Sequence, residues 1–457
     1  MDKPPPKASP YPLPELVEYL KPFRHHFYRV ESYLALERYT TGLLADIKRK
    51  TCAGIAEAVA GTSSQSLQEF LTNTSWDPEA VDKQRVQQFV EEATAGDGAL
   101  VFDDVSVPRK GDNIVGVAWQ WCGCLGKRAN CQVVVTSRYC DPYYSWPVTG
   151  RLYLSPKWAD DPERRAKAHI PDEVEFATKP ELALRQVDVA QQWGVPFDTV
   201  VADAGYGDNP NFLDGLEARD KRYVVNVARD FGVRLPEEIA EAGEGIAPLH
   251  KAEAVIDALP ESAWKIITWR MGSRGPMTKQ FAAVRACRAT VEVTGCEGWL
   301  VGERPAPGHS GPRKWYFSDY PADTPWARLA ELAHRRPSVE RGYQDDKGYI
   351  GFADYVGRLW HGFHRHTALV MLAESWLVHQ APPPKQVEVI IEPLEVDDPG
   401  NEPFFPLRSS AFSECCYRPP ASSDLAGTGG HRLAGRDRSD RRLPPTTGHA
   451  LSGTTIY

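Results

Sequence analysis

Long apolar runs are absent from this sequence of 457 residues. No stretch of about 18 uncharged apolar residues occurs, so we expect no membrane span. The N-terminal segment, MDKPPPKASPYPLPE, lacks the apolar core of a secretory signal. Both observations favour a cytoplasmic protein.

A complete disulfide framework is also excluded, because the cysteines number nine and are unevenly spread. A cytoplasmic protein keeps such thiols reduced. Cys122 and Cys124 are separated by a single residue, and no clear second pair of ligands accompanies them. Zinc binding is therefore the less favoured interpretation of this pair.

An excess of positive charge is missing as well, since the formal net charge is −8. This does not exclude DNA as a partner, because phosphate binding depends on local basic patches rather than on the total charge. A site that gathers carboxylates around metal ions also makes the total more negative.

The N-terminal part of the chain has apolar residues at helical spacing. Two short helices are predicted at CAGIAEAV and SLQEFL, and Gly61 to Ser64 supply the signals that end one helix and begin the next. Such a pair is typical of a DNA-reading helix-turn-helix and equally of an ordinary helical bundle. Both interpretations stay open.

Strand-like segments begin near residue 99 and alternate with helical ones, which predicts an α/β fold with a mixed sheet and helices packed on its faces. The C-terminal tail is rich in Arg, Pro, Ser and Gly, which predicts disorder; an altered reading frame is an equally good explanation. The predicted regions are a helical DNA-binding region (1–95), the first part of a catalytic core (96–228), a mostly β insertion (229–325), C-terminal core helices (326–381) and a tail (382–457).

Two aspartates follow apolar strand-like runs: Asp103 follows ALVF, and Asp203 ends FDTVVAD. The carboxyl ends of strands are where open α/β sheets place their ligands. If the two strands are parallel neighbours, their ends lie about 4.8 Å apart. Two carboxylates at that distance repel each other unless a cation lies between them. A pair of Mg²⁺ ions needs such a bridge; the alternative is that each aspartate caps a turn.

A third carboxylate is available in the segment RRPSVERGYQDDKG. Glu340 and Lys347 are seven residues apart, or about two helical turns, so they share a helix face. Arg336 precedes Glu340 by four residues. This face offers a metal ligand and a cation for a phosphate, although a solvated charged helix has the same pattern.

These residues resemble the signature of insertion-sequence DDE transposases of the group whose third motif is Y-x2-R-x3-E-x6-K. Arg336, Glu340 and Lys347 match the spacing, and further similar blocks are VPRKGDNIVGVAWQWCGCLGKRANCQ, VVADAGYGDNPNFL, GSRGP and HGFHRHTALVMLAESWL. The sequence departs from the motif at Ala333, which replaces the Tyr. It also places Pro337 before the Glu, so we predict that the helix begins there and that Arg336 lies just outside it.

The resemblance implies an RNase H-like fold and catalysis by Asp103, Asp203 and Glu340, which would hold two Mg²⁺ or Mn²⁺ ions. It implies metal-dependent cleavage of DNA at terminal inverted repeats, strand transfer into target DNA, and a homodimer on that DNA, nucleoid-associated when bound. We expect DNA contacts from a set of basic residues, namely Arg336, Lys347, Arg109, Lys110, Lys127 and Arg128.

Histidines and aromatic residues near the end of the core form two further groups of candidates. His361, His364 and His366 invite a metal site, but hard Mg²⁺ prefers oxygen ligands, so packing or phosphate contact is favoured. Trp315, Tyr316 and Trp326 are candidates for stacking on an unpaired base, with core packing the favoured role.

Two other functions are compatible with the sequence. A catalytically impaired or repurposed relative would bind DNA without cutting it, as Ala333, Pro337 and the unusual tail suggest. A general metal-dependent nuclease without strand transfer is disfavoured by the N-terminal helical region.

Overall fold

The computed structural model describes residue 7 and residues 13–92, 97–272, 275–336 and 350–380. The described residues belong to one compact unit. Within them, no helix is both long enough and apolar enough to cross a membrane.

The predicted N-terminal helices are present, and both short helices begin with a side-chain cap. Thr51 accepts a hydrogen bond from the Gly54 backbone N–H, and Ser63 forms a capping box with Ser66. Their bounds are α1 (Pro14–Leu20), α2 (Val30–Leu44), α3 (Cys52–Ala58), α4 (Ser64–Thr72) and α5 (Pro78–Glu92).

The apolar faces of these helices join a core that they share with the C-terminal helix α14 (Trp360–Gln380). Leu67, Phe70 and Leu71 turn inward from α4. This packing fits the helical-bundle interpretation, and the DNA-reading interpretation of α3 and α4 stays a prediction.

The described strands form one mixed sheet in the order β2-β3-β1-β5-β6-β12-β11-β10-β7-β8, with β4 beside β3 and β9 beside β10. β1 and β5 are parallel, as are β5 and β6, and the other pairings are antiparallel. The first half comprises β1 (Gly98–Pro108), β2 (Ala118–Cys122), β3 (Lys127–Cys140), β4 (Ser145–Leu152), β5 (Phe197–Ala202) and β6 (Arg222–Val227).

Helices cover both faces of the sheet at β1. The side chains of β1 alternate between two cores, one on each face. Val101 and Val105 belong to the core of α1–α4 and α14, whereas Leu100 and Phe102 belong to the core under α8 and α10. The connecting helices are α6 (Pro156–Ala159), α7 (Pro162–Ala168), α8 (Lys179–Gln192), α9 (Ala204–Gly207) and α10 (Pro210–Glu217).

The prediction that the first apolar strand ends at Asp103 is wrong. β1 continues to Pro108, because its second half, VSVP, keeps an antiparallel partner in β3 up to the pair Pro108–Cys131. The last β1–β5 pair is Val101–Val201, two residues before Asp103.

The described residues between 229 and 325 are rich in strands, and these strands extend the sheet that contains β1 and β5. β12 pairs with β6 from Trp315–Val227 to Ser318–Val224, so the inserted strands continue the same sheet. The elements are β7 (Gly232–Arg234), α11 (Pro236–Ala242), β8 (His250–Lys251), α12 (Ala252–Asp257), β9 (Lys265–Gly272), β10 (Gly275–Ala289), β11 (Thr294–Pro305), β12 (Lys314–Ser318) and then α13 (Trp326–Ala333).

Candidate active site

The register of β1 and β5 brings Asp103 and Asp203 to the same level of the sheet. Val101 pairs with Val201, and each aspartate lies two residues further along its strand direction. Asp203 then leaves the sheet as the N-cap of α9, where its Oδ1 accepts the Gly205 backbone N–H at 2.9 Å. Asp103 stays in β1, and its Oδ1 accepts the Asp104 backbone N–H at 2.9 Å.

Arg336 bridges the two carboxylates. Its Nη2 donates to Asp103 Oδ1 at 3.3 Å and lies 3.6 Å from Asp203 Oδ2. Asp103 and Arg336 are mostly buried, with side-chain exposures of 17% and 18%. Arg335 and Arg336 already have helical backbone conformation, so the prediction that Arg336 lies outside a helix is wrong.

The carboxyl groups of Asp103 and Asp203 both have raised pKa values, because Arg336 only partly compensates for their burial and for the repulsion between neighbouring carboxylates. Burial raises the pKa of Asp103 to about 6, a change that Arg336 opposes and the charge of Asp203 reinforces. Burial also raises the pKa of Asp203, again opposed by Arg336 and reinforced by Asp104. The site would therefore gain from additional positive charge, and its carboxylate oxygens are the ligands that Mg²⁺ prefers.

Asp104 points to the opposite side of β1 and is held by two partners. Lys179 Nζ donates to its Oδ2 at 2.6 Å, and the Tyr206 hydroxyl donates to its Oδ1 at 2.6 Å. These bonds connect the first residues of α8 and the short helix α9 to β1. Sequence reasoning missed Lys179 and Tyr206, because nothing local to either residue indicates a partner in β1.

The side chain of Arg335, the residue before Arg336, anchors this helical segment to β1. It donates to the Asp97 carbonyl oxygen at 2.6 Å and to Asp97 Oδ2 at 2.9 Å, just before β1 begins. It also donates to Glu331 Oε1 at 2.6 Å. With a side-chain exposure of 4%, it ties the backbone at residues 335–336 to the strand that carries Asp103.

The third predicted carboxylate, Glu340, lies outside the described residues, as does Lys347. Within the described ranges, no group of three or more His, Cys, Asp or Glu side chains is arranged to hold a metal ion. Asp103 and Asp203 are neighbouring carboxylates with raised pKa values, and they share the single bridging guanidinium of Arg336.

The four basic residues predicted beside the site fall into two environments. Arg109 is partly buried and donates to Gln132 Oε1 at 2.6 Å and to the Ala353 carbonyl oxygen at 2.8 Å, so its position is largely structural. Lys110, Lys127 and Arg128 have exposed side chains, as DNA contacts require.

The histidines of α14 have packing roles in the structure. His366 bonds to the Tyr39 hydroxyl at 2.8 Å, His361 to the Thr72 carbonyl oxygen at 2.7 Å, and His364 to the Trp360 carbonyl oxygen at 3.0 Å. This agrees with the favoured interpretation of these residues. The buried hydroxyl of Tyr316 likewise donates to Glu303 at 2.6 Å, which is core packing.

Comparisons with known proteins agree with this geometry. Residues 18–276 match the family described as DDE superfamily endonuclease, a range that includes both aspartates and ends before Arg336. The chain is also 24% identical over 345 residues to the probable transposase for insertion sequence element IS701 of Microchaete diplosiphon, which covers 74% of this chain and 80% of the relative.

Proposed function

Because this chain belongs to the DDE superfamily endonucleases, we propose that it is a transposase that cleaves DNA at the terminal inverted repeats of an insertion sequence and joins the freed ends to target DNA. The observation that carries the proposal is the pairing of Asp103 with Asp203 across two parallel strands, with Arg336 between them. The likeness to a probable insertion-sequence transposase over most of both chains supports the same activity.

DDE endonucleases generally use divalent metal ions, and the proposed ions here are two Mg²⁺ or Mn²⁺ held by Asp103, Asp203 and Glu340. Such ions supply activation of water and stabilisation of the leaving 3′-oxygen. The carboxylates of this chain have the oxygen chemistry for that role. The burial of Asp103 reduces the screening of its charge by bulk water.

The protein side chains would then position the DNA. Arg336 carries a guanidinium between the two carboxylates and can pair with a phosphate oxygen as it now pairs with Asp103. We propose that Lys347, Lys110, Lys127 and Arg128 add phosphate contacts, and that Arg109 supports the loop from which Lys110 projects. Two DNA ends must meet in one complex, so we propose a homodimer on DNA.

The test is cleavage of a donor plasmid that carries the flanking repeats, with purified protein and Mg²⁺ or Mn²⁺. We expect excision by the wild-type protein and none by Asp103→Asn, Asp203→Asn or Glu340→Gln, while all four proteins bind the repeats. Asp208→Asn is the matched control, because Asp208 follows α9 directly, accepts a hydrogen bond from the Ala228 backbone N–H and is not among the proposed metal ligands.

Repeat binding without cleavage by the wild-type protein would overturn the active-enzyme proposal and favour a relative that binds DNA without cutting it. Ala333 is the residue that motivates this second outcome. Alanine has no ring to offer to a DNA contact. Its side chain here is buried at the end of α13, within an apolar cluster that includes Trp269 and Phe281.

A further inference from the structure

The hairpin formed by β2 and β3 exposes two tryptophans on one face. Trp119 and Trp121 alternate with inward-facing residues along β2, and their exposed fractions are 64% and 57%. Large aromatic side chains are usually well covered in a folded protein, and an exposed patch of them indicates a binding surface. β2 stands at one end of the strand order, so this surface lies at the margin of the described sheet.

Basic and amide side chains stand directly opposite the two rings. Trp121 pairs with Arg128 and Trp119 with Asn130 across the hairpin, and residues paired in this way share a face of the sheet. Arg128 is exposed, so this face combines planar rings with positive charge. Lys127, which pairs with Cys122, is also exposed but belongs to the other face of the hairpin.

The charge of this region contrasts with that of the whole chain. Residues 113–140 contain no Asp or Glu, although the chain carries 61 acidic residues and a formal net charge of −8. An acid-free segment with exposed Lys127 and Arg128 is complementary to a polyanion. Rings together with cations suit a strand of nucleic acid, whose phosphates and bases need both.

The tip of the hairpin is attached close to the proposed active site. The Gly123 backbone N–H donates to Ser106 Oγ at 3.1 Å. Ser106 follows Asp103 by three residues in β1, which is about 10 Å along an extended strand. The hairpin tip therefore lies about three strand positions from the proposed active site.

The spacing of the two tryptophan positions along β2 suits a base. Residues at positions i and i+2 of a strand are about 6.7 Å apart. That separation accepts one planar ring between two others at about 3.4 Å from each, the rise between stacked nucleotides. A double helix offers no such ring unless a base leaves the stack, so the preferred occupant has unpaired bases.

From these observations we propose that the β2–β3 hairpin is a DNA-binding surface, on which Trp119 and Trp121 stack with unpaired bases beside the cut and Arg128 contacts a neighbouring phosphate. This inference rests on the proposed function for its location beside a DNA cut. The binding property itself can be measured without cleavage.

The probes are three fluorescent duplexes, one blunt, one with a single-stranded tail of four thymidines, and one with the same tail made of abasic nucleotides. Binding is followed by fluorescence anisotropy without added divalent metal, so that no cut is made. The abasic tail keeps every phosphate and loses every base. We expect the wild-type protein to bind the thymidine tail most tightly.

The variants separate stacking from charge. Each ring lost in Trp119→Ala or Trp121→Ala should weaken binding of the thymidine tail by about 5- to 140-fold. The double variant should bind the thymidine and abasic tails equally, and Trp121→Phe should keep the difference. Arg128→Gln should weaken binding of both tails and reduce the slope of log affinity against log salt by about 0.7.

Two controls come from the far side of the sheet. Val291 and Val293 are exposed apolar residues at the same i, i+2 spacing between β10 and β11, so Val291→Ala/Val293→Ala should bind like the wild-type protein. Lys251→Gln, in β8 at the other end of the strand order, is the matched control for charge.

Equal binding of the thymidine and abasic tails by the wild-type protein, or unchanged binding by the double tryptophan variant, would overturn the inference. Light scattering gives a further contrary result: a dimer that the double variant dissociates would make the hairpin a contact between copies of the chain. Equal cleavage of repeat ends by the wild-type protein and the double tryptophan variant would support the proposed function but not the role of the hairpin.

Tighter binding of the thymidine tail without any cleavage would support the role of the hairpin but not the proposed function.

Discussion

Arg336 Nη2 lies 3.3 Å from Asp103 Oδ1 and 3.6 Å from Asp203 Oδ2, so one guanidinium serves two carboxylates from neighbouring parallel strands. Without it, two partly buried negative charges would face each other with little compensation. The arrangement links residues 103, 203 and 336, which lie far apart in the sequence, and makes the position of Arg336 as important to the site as the two aspartates.

The first prediction concerns Arg335, which holds that position. Arg335→Ala should lower the free energy of unfolding by about 1–3 kcal/mol, because Asp97 and Glu331, which are themselves partly exposed, lose a buried guanidinium partner. It should also lower kcat for cleavage with little effect on KM, since Arg336 would lose its support. Chemical denaturation and steady-state cleavage kinetics measure the two effects.

Arg328→Ala is the matched control for Arg335. Arg328 pairs with the same two residues, Asp97 and Glu331, but its side chain is more exposed, at 27%. Its loss should cost less than about 1 kcal/mol and leave kcat unchanged. Equal loss of kcat in both variants would contradict a specific role of Arg335 in placing Arg336.

The second prediction concerns the buried ion pair of Arg138 in β3 and Glu374 in α14, whose side chains are 3% and 9% exposed. Glu374→Ala should destabilise the protein by about 3–5 kcal/mol, because the remaining buried charge loses its counter-ion. Glu163→Ala, which breaks the exposed pair with Lys167, should cost less than about 1 kcal/mol. Comparable denaturation midpoints for the two variants would show that the buried pair is not a major contribution to stability.

How far the sequence predicts this molecule depends on how local each signal is. The strands carrying Asp103 and Asp203 and the capped helices α3 and α4 were predictable, because apolar runs and capping residues act within a few positions. The bond of Tyr206 to Asp104 and the anchoring of Arg335 by Asp97 were not predictable, since these contacts depend on the tertiary fold. The end of β1 was misplaced because its partner for residues 104–108 is the distant strand β3.

The third prediction is a loss of stability in mild acid that involves His366. This side chain is fully buried between the Tyr39 hydroxyl and the Gly351 carbonyl oxygen, and burial lowers its pKa from 6.5 to about 4. Below pH 6.5, His366 therefore becomes protonated in the unfolded chain, whereas in the folded protein it stays neutral down to about pH 4. The free energy of unfolding should fall as the pH drops through this interval, by up to about 3 kcal/mol at 1.36 kcal/mol per pKa unit.

The difference between the wild-type protein and His366→Gln isolates this contribution from that of the carboxylates. The variant should be less stable at pH 7.5, because it packs less well against Tyr39, but it should lose less stability between pH 7 and pH 4.5. Unfolding by denaturant at a series of pH values tests this. Parallel curves for the two proteins would show that His366 does not supply the pH dependence.

The last prediction is that Arg336 and a divalent cation compete for the two aspartates. The guanidinium now neutralises carboxylates whose pKa values burial raises, so an incoming ion must share or displace it. Arg336→Gln should therefore tighten Mn²⁺ binding on the order of tenfold, equivalent to about 1.4 kcal/mol, and should lower cleavage because the phosphate loses a bidentate partner. Arg336→Lys, which keeps the charge and loses the planar guanidinium, should restore metal affinity to the wild-type value but not cleavage.

Calorimetric titration of Mn²⁺ into the wild-type protein and the two Arg336 variants, with Asp203→Asn to identify the site, gives the comparison. Weaker metal binding by Arg336→Gln would mean that the guanidinium supports the metal-binding geometry of the aspartates, and tighter binding that it occupies the place of the ion until DNA draws it to a phosphate.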